Sequence, residues 1–160
     1  MTDIYTFLHN LAIPFKKYEH EAVFTVEEAE KIDHELPCAA SKNLFLCDKK
    51  QARFYLVVTQ AKKRVDLKKL QEVLHEGRLS FASAELLKKY LGVNPGSVSP
   101  FALINDTKHV VTAIIDTDLL AENEKQGFHP NENTATLVLA TKDFTSYLEN
   151  TGNAIMKIQV

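Results

Sequence analysis

Gly92-Val93-Asn94-Pro95-Gly96-Ser97-Val98-Ser99-Pro100 lies between an apparent helix and an apolar run. Proline fixes its own φ and lacks an amide donor. Glycine tolerates positive φ. Pro95-Gly96 therefore reads as the centre of a type II turn, which takes proline at its second position and glycine at its third. Such a turn can aim bare backbone N–H and C=O groups into a cavity, where a small polar substrate would be held. The competing reading is an ordinary connection from a helix to the next element.

Working outward, residues 83–91 form a helical segment closed by Gly92 as a C-terminal glycine. Before it, Asp66 caps a helix reaching about His75, with Leu67, Leu70 and Leu74 on one face. Residues 44–47 and 54–58 are rich in apolar and β-forming types and read as adjacent strands. Residues 3–12 carry Ile4, Phe7, Leu8 and Leu11 at helical spacing, and Pro14 ends that helix. Residues 15–19 read as a short strand. Thr25 and Glu28 make a capping-box pattern that opens a helix to about Leu36. Downstream, residues 110–115, 134–140 and 154–160 read as strands, and 118–124 and 141–150 as helices. In residues 134–140, Ala135, Leu137 and Leu139 alternate with Thr136 and Val138. Helices and strands interleave without a strict βαβ repeat. That predicts an α/β fold, one compact domain over residues 1–160, with a mixed sheet surrounded by helices.

Composition narrows the function. The chain has 160 residues, 45% of them hydrophobic, and can bury a core without disulfide support. Its two cysteines, Cys38 and Cys47, are too few for a disulfide framework and suit a reducing, cytoplasmic setting. Met1-Thr2-Asp3-Ile4-Tyr5 shows no basic stretch leading into an apolar one, so no secretory signal is expected. Apolar stretches fall far short of the ~20 residues a membrane helix needs, so no membrane partner is expected. Net charge is −2, from 19 basic and 21 acidic side chains, which excludes a general polyanion binder and gives no reason to expect DNA. An RNA partner would have to meet a local basic patch. Lys62, Lys63 and Arg64 form the densest one, followed by Lys68 and Lys69; Lys49 and Lys50 make another. The plain reading of such runs is a solvated surface.

Two side chains stand out as chemistry. Lys42 precedes Leu44-Phe45-Leu46 and could set a fixed positive charge beside a phosphate or a developing oxyanion; otherwise it is a strand-end lysine reaching water. His129, in Phe128-His129-Pro130, is open to three roles: general base, donor to substrate, or loop brace. Asn133 and Thr134 follow as polar contacts from the same turn. The sequence contains no G-x-S-x-G, H-E-x-x-H, P-loop or C-x-x-C motif, and its six histidines include no i, i+4 pair. Neither a metal nor another cofactor is expected.

Lys42-Asn43-Leu44-Phe45-Leu46, the 92–106 segment and Phe128-His129-Pro130-Asn131-Glu132-Asn133-Thr134-Ala135-Thr136-Leu137 occur in an order and spacing that resemble the YbaK-like family of editing domains associated with prolyl-tRNA synthetase. Lys63-Arg64-Val65-Asp66-Leu67-Lys68-Lys69-Leu70 and Leu79-Ser80-Phe81-Ala82-Ser83 support the likeness, which covers about residues 40–140. The resemblance is strongest to free-standing members that remove misattached alanine from proline tRNA. It implies a strongly curved mixed sheet and a deacylase in which water attacks the aminoacyl ester, with no covalent enzyme intermediate. It further implies that the loop at Gly92, Pro95, Gly96 and Ser97 holds the amino group or water. Lys42 would hold the terminal adenosine or its phosphate, His129 would orient the aminoacyl end, and Arg78 would touch the nucleotide. The implied partners are mischarged proline tRNA and prolyl-tRNA synthetase. Ala102 departs from the glycine common in relatives, and its methyl bears on pocket size. Deacylation of a cysteine- or serine-bearing tRNA, a non-catalytic tRNA- or synthetase-binding role, and a small-molecule-binding module remain as alternatives.

Overall fold

The computed structural model describes residues 3–22 and 25–160. Met1 and Thr2, part of the stretch read for a secretory signal, lie outside them. Helix α1 (Ile4–Asn10) is capped by Asp3, which accepts from Tyr5 N at 3.3 Å, and buries Ile4 and Leu8. A left-handed residue, Ala12, ends the turn after it, ahead of Pro14. Thr25 Oγ1 accepts from Glu28 N at 3.1 Å and opens α2 (Val26–Glu35), as the capping pattern predicts.

The strands form two sheets. The first is antiparallel, in the order β1 (Lys16–Glu19), β7 (Ala135–Ala140), β6 (Lys125–Phe128). The second runs β4 (Ser80–Phe81), β2 (Ser41–Cys47), β3 (Phe54–Gln60), β5 (Val111–Asp116), β8 (Ile155–Ile158). Here β2 pairs antiparallel with β3 and β4, while β5 pairs parallel with β3 and β8, so the sheet is mixed. The α/β class and the mixed sheet match the sequence reading. Strong curvature does not: the strands divide between two sheets, linked by a parallel bridge at Ala39 and Gln126 where Ala39 N donates to Lys125 O at 3.0 Å.

The main core lies on one side of the larger sheet. Phe45, Phe54, Leu56, Ala113 and Ile115 meet Phe128, Leu137 and Leu139 of the smaller sheet there, together with Leu8, Leu91 and Phe144 from helices α1, α4 (Ala84–Leu91) and α6 (Thr141–Glu149). On the other side Leu46, Tyr55, Val57 and Ile114 pack with Leu79 and with Leu70 of α3 (Leu67–Leu74). Strand β3 is buried at every residue except Gln60. Its unbroken apolar run is what a strand covered on both faces requires.

Three elements escaped the sequence reading: β4, β6 and a 3-10 helix at Pro100–Asn105. All are short, and β4 and β6 form only by pairing with strands elsewhere in the chain. The alternation read in β7 is likewise overridden, since residues 135–139 are all buried. Cys38, just after α2, crosses the outer face of β6: a Cβ on Gly127 would stand 2.5 Å from its Sγ and 3.2 Å from Thr136 Cγ2.

Candidate active site

Helix α4 begins at Ser83, whose Oγ accepts from Leu86 N at 3.2 Å, and ends at Gly92 with φ +67. The Gly92 N–H donates to Lys88 O at 3.0 Å. A Cβ there would sit 3.2 Å from Asn105 Nδ2, the group that donates to Leu91 O at 2.9 Å. Gly92, read from sequence as a substrate contact, therefore makes its visible contacts as a helix cap. The turn follows at once: Ser97 N donates to Asn94 O at 3.0 Å, and Gly96 has φ +93. This is the expected type II geometry. Asn94, Pro95 and Gly96 are exposed, and Ser97 is half-buried.

The base of this loop is fixed. Buried Ser99 accepts from Phe101 N at 3.1 Å and starts the 3-10 helix. Tyr147 of α6 donates its hydroxyl to Pro100 O at 2.8 Å. Ala102 is wholly buried in the main core, so its methyl is a packing group beneath the loop. Phe101 meets Phe128 edge-on, with ring centroids 5.7 Å apart. That contact ties the loop to the end of β6 and hence to the turn bearing His129. As a result a Cβ on Gly96 would stand 4.0 Å from Asn133 Nδ2, with no closer neighbour. Two segments far apart in sequence thus meet.

His129 donates from Nδ1 to Ala135 O at 2.9 Å, since a carbonyl can only accept. Burial pushes its pKa below the ordinary 6.5; the backbone bond opposes that shift, and the charge of His20 adds to it. The neutral ring then keeps a lone pair on Nε2. His20 lies beside it, ring centroids 5.8 Å apart, with Nδ1 2.9 Å from Glu21 O and Nε2 3.0 Å from Thr136 Oγ1. His20 also lines a cleft of about 360 Å³ against α2, shared with Glu28, Lys31 and Glu35. Sequence reasoning missed His20 because a lone histidine after a short strand carries no motif. Thr134 is exposed, and its carbonyl accepts from His20 N at 2.9 Å. Asn131 is left-handed, φ +66, with Oδ1 buried and unpartnered among the described residues.

Lys42 pairs with Thr59 across β2 and β3. Directly opposed residues project to one face, so Lys42 shares the side of Thr59, Leu44 and Leu46, the side covered by α3. Asn43 projects to the opposite side, with Phe45 and the main core, and its Oδ1 is buried without a partner among the described residues. Lys42 is half-buried and makes no ion pair among them. Its register sets its Cβ on the face opposite Asn43 and Phe45. Arg78 is exposed just before β4.

The basic run is divided between paired and exposed cations. Lys63 Nζ lies 2.8 Å from Asp116 Oδ2 and 2.7 Å from Asp118 Oδ2. Buried Asp116 also accepts from Thr59 Oγ1 at 2.6 Å. Burial works against the charge on Lys63, but the two carboxylates outweigh it and raise the pKa. Lys63 thus joins the end of β3 to α5 (Thr117–Glu122), its ammonium already paired with two carboxylates. Lys62 and Arg64 stay exposed. Among the described residues no three His, Cys, Asp or Glu side chains cluster as metal ligands, and no helix is long and apolar enough to cross a membrane.

Comparison with known proteins supplies the context. The aminoacyl-tRNA editing domain family matches residues 20–147. The prolyl-tRNA editing protein ProX of Acetoanaerobium sticklandii is 40% identical over 153 residues, covering 96% of this chain and 93% of that protein. The prolyl-tRNA synthetase associated domain-containing protein 1 of Bos taurus is 37% identical over 145 residues, covering 89% and 85%. Among solved structures, the hypothetical protein APE2540 superposes with a TM-score of 0.75 at 18% identity, covering 98% of each chain, which is a likeness of fold.

Proposed function

Because the chain belongs to the aminoacyl-tRNA editing domain family, and is thereby an aminoacyl-tRNA deacylase, we propose that it acts in trans on alanine misattached to proline tRNA. Water adds to the ester carbon, the ester C–O bond breaks, and free alanine and a restored ribose hydroxyl leave. The observation that carries this reading is the meeting of the exposed Pro95-Gly96 turn with Asn133, on the turn that bears neutral His129.

In this reading the peptide groups of the turn hold the amino group or the attacking water. Their geometry is set before substrate arrives, which is where a site without a nucleophile gains its rate. The Nε2 lone pair of His129 accepts a hydrogen bond from the water, the amino group or the ribose hydroxyl beside the ester. Lys42 meets the terminal adenosine or its phosphate. Gly92 supports the turn from the helix end. Asn133 and Ser97 supply polar contacts, while Thr134 contributes through the backbone.

Pocket physics gives the reaction its purpose. A proline-sized synthetase pocket cannot exclude alanine, because missing methylene groups weaken binding by only ~1–3 kcal/mol each. A second site that admits alanine and rejects proline supplies the remaining discrimination. Prolyl-tRNA synthetase is the natural partner, and a cytoplasmic setting suits two cysteines that form no disulfide among the described residues. The test is release of alanine, cysteine, serine and proline from matched charged proline tRNA. Alanine should leave fastest and proline should remain. Preferential release of cysteine or serine moves the assignment within the family, and release of none refutes it.

A further inference from the structure

The remaining signal lies at the open edge of the larger sheet. Among the described residues Phe81 is the most exposed large apolar side chain, at 64%. It sits on the two-residue strand β4, which among the described residues pairs with β2 alone and ends the sheet. An aromatic ring exposed at a sheet edge offers a flat apolar face beside unpaired backbone groups.

The surroundings favour a polyanion. Cys47 opposes Ser80, so Lys49 and Lys50, in the turn just past Cys47, and Arg78, just before Ser80, lie at the same end of this strand pair. All three are exposed and make no ion pair among the described residues. Two of the nearby acids make internal bonds. Asp48 accepts from Ala52 N at 2.8 Å and from Arg53 N at 3.0 Å. Glu76 takes Arg53 and the Tyr55 hydroxyl. The edge therefore presents exposed Lys49, Lys50 and Arg78 near Phe81, with Arg78 on the opposite face by strand alternation and the Asp48 carboxylate beside them. Phe81 also opposes Leu46 and shares its face of β2 with Lys42, four residues or about 13 Å along the strand.

We propose that Phe81 is a stacking platform for one base of a single-stranded RNA end, with Lys49, Lys50 and Arg78 holding the flanking phosphates. Base stacking on an exposed aromatic near exposed cations is the standard physics of single-strand binding and needs no sequence readout. The inference rests on the deacylase reading and adds to it: the unpaired 3′ end of the tRNA crosses Phe81 on its way to Lys42. It also moves the RNA footprint away from Lys62, Lys63 and Arg64, where the central ammonium is already paired with two carboxylates.

The probe is an uncharged RNA hairpin with an unpaired four-nucleotide 3′ tail carrying 2-aminopurine, whose fluorescence falls on stacking. The wild-type chain should quench it. Phe81→Ala should abolish quenching and weaken affinity about 5- to 100-fold, while Phe81→Tyr keeps both. The Lys49→Ala/Lys50→Ala double variant should weaken binding and lower the salt slope by up to ~2, yet still quench at saturation. Melting temperature checks that each variant is folded. Unchanged quenching and affinity in folded Phe81→Ala overturn the proposal. So does a concentration-dependent dimer, lost in Phe81→Ala, whose RNA binding does not depend on Phe81, since the edge then serves a second copy. A wild-type chain that quenches but hydrolyses no aminoacyl ester fails the deacylase reading alone. One that hydrolyses without dependence on Phe81 fails only this one.

Discussion

Replacing Gly92 and Gly96 separately by alanine should divide folding from chemistry. At Gly92 the left-handed backbone costs an L residue ~1–2 kcal/mol. The added methyl would stand 3.2 Å from Asn105 Nδ2, so that side chain must shift and its bond to Leu91 O weakens, worth about 1 kcal/mol more. The sum, roughly 2–3 kcal/mol, lowers the melting temperature by roughly 5–10 °C in a domain of this length. At Gly96 the strain is similar, but no atom is nearer than Asn133 Nδ2 at 4.0 Å. Melting should therefore fall by only about 2–6 °C. The turn relieves that strain by rotating the Pro95-Gly96 peptide, which shifts its N–H and C=O groups by a fraction of an ångström to an ångström. A misplacement of that order costs roughly 100-fold where positioning supplies the rate. The assay is alanine release from charged proline tRNA at 25 °C, beside calorimetric melting. Gly96→Ala should lose most activity and little stability, and Gly92→Ala the reverse. Wild-type turnover in Gly96→Ala would reduce the turn to a connector. Lost activity without lost stability in Gly92→Ala would make Gly92 a substrate contact.

Other outcomes follow from the same geometry. Lys42→Ala should cut deacylation at least ~100-fold with the fold intact; a folded variant at wild-type rate removes Lys42 from the site. His129 has a depressed pKa, so the unfolded chain takes up its proton first as pH falls. Its stabilising contribution is complete above pH 6.5 and is lost as pH drops through the folded value. Deacylation should accordingly stay level through pH 6.5 and decline only below it, and a fall already centred at or above 6.5 would contradict a neutral, buried His129. Chelator treatment should leave the rate unchanged; loss with EDTA and rescue by zinc would reveal a metal centre. Lys63→Ala should destabilise by on the order of 2 kcal/mol, less than the ~3–5 of a fully buried pair because Lys63 is partly exposed. The Lys62→Ala/Arg64→Ala double variant should barely shift melting, and equal melting of the two variants would deny Lys63 its joining role.

Much of this protein was legible in one dimension because its signals are local. A capping threonine, a helix-closing glycine and Pro-Gly at the centre of a turn act within four residues, so Thr25, Gly92 and Gly96 fall where expected. Strands β2, β3 and β5 carry enough apolar residues to declare themselves. The ordered motifs, covering most of the chain, also made the family recognisable. Tertiary structure alone decided the rest. Which face Lys42 takes depends on its register with Thr59, and whether Lys63 is free depends on Asp116 and Asp118, more than fifty residues away. His20 and His129 become neighbours only once β1 and β6 flank β7, and Phe81 is exposed only because β4 ends the sheet. These outcomes turn on non-local contacts, whose energies depend on where the whole chain folds. Capping and turn preferences are set by backbone sterics within a few bonds, and a sequence displays those directly.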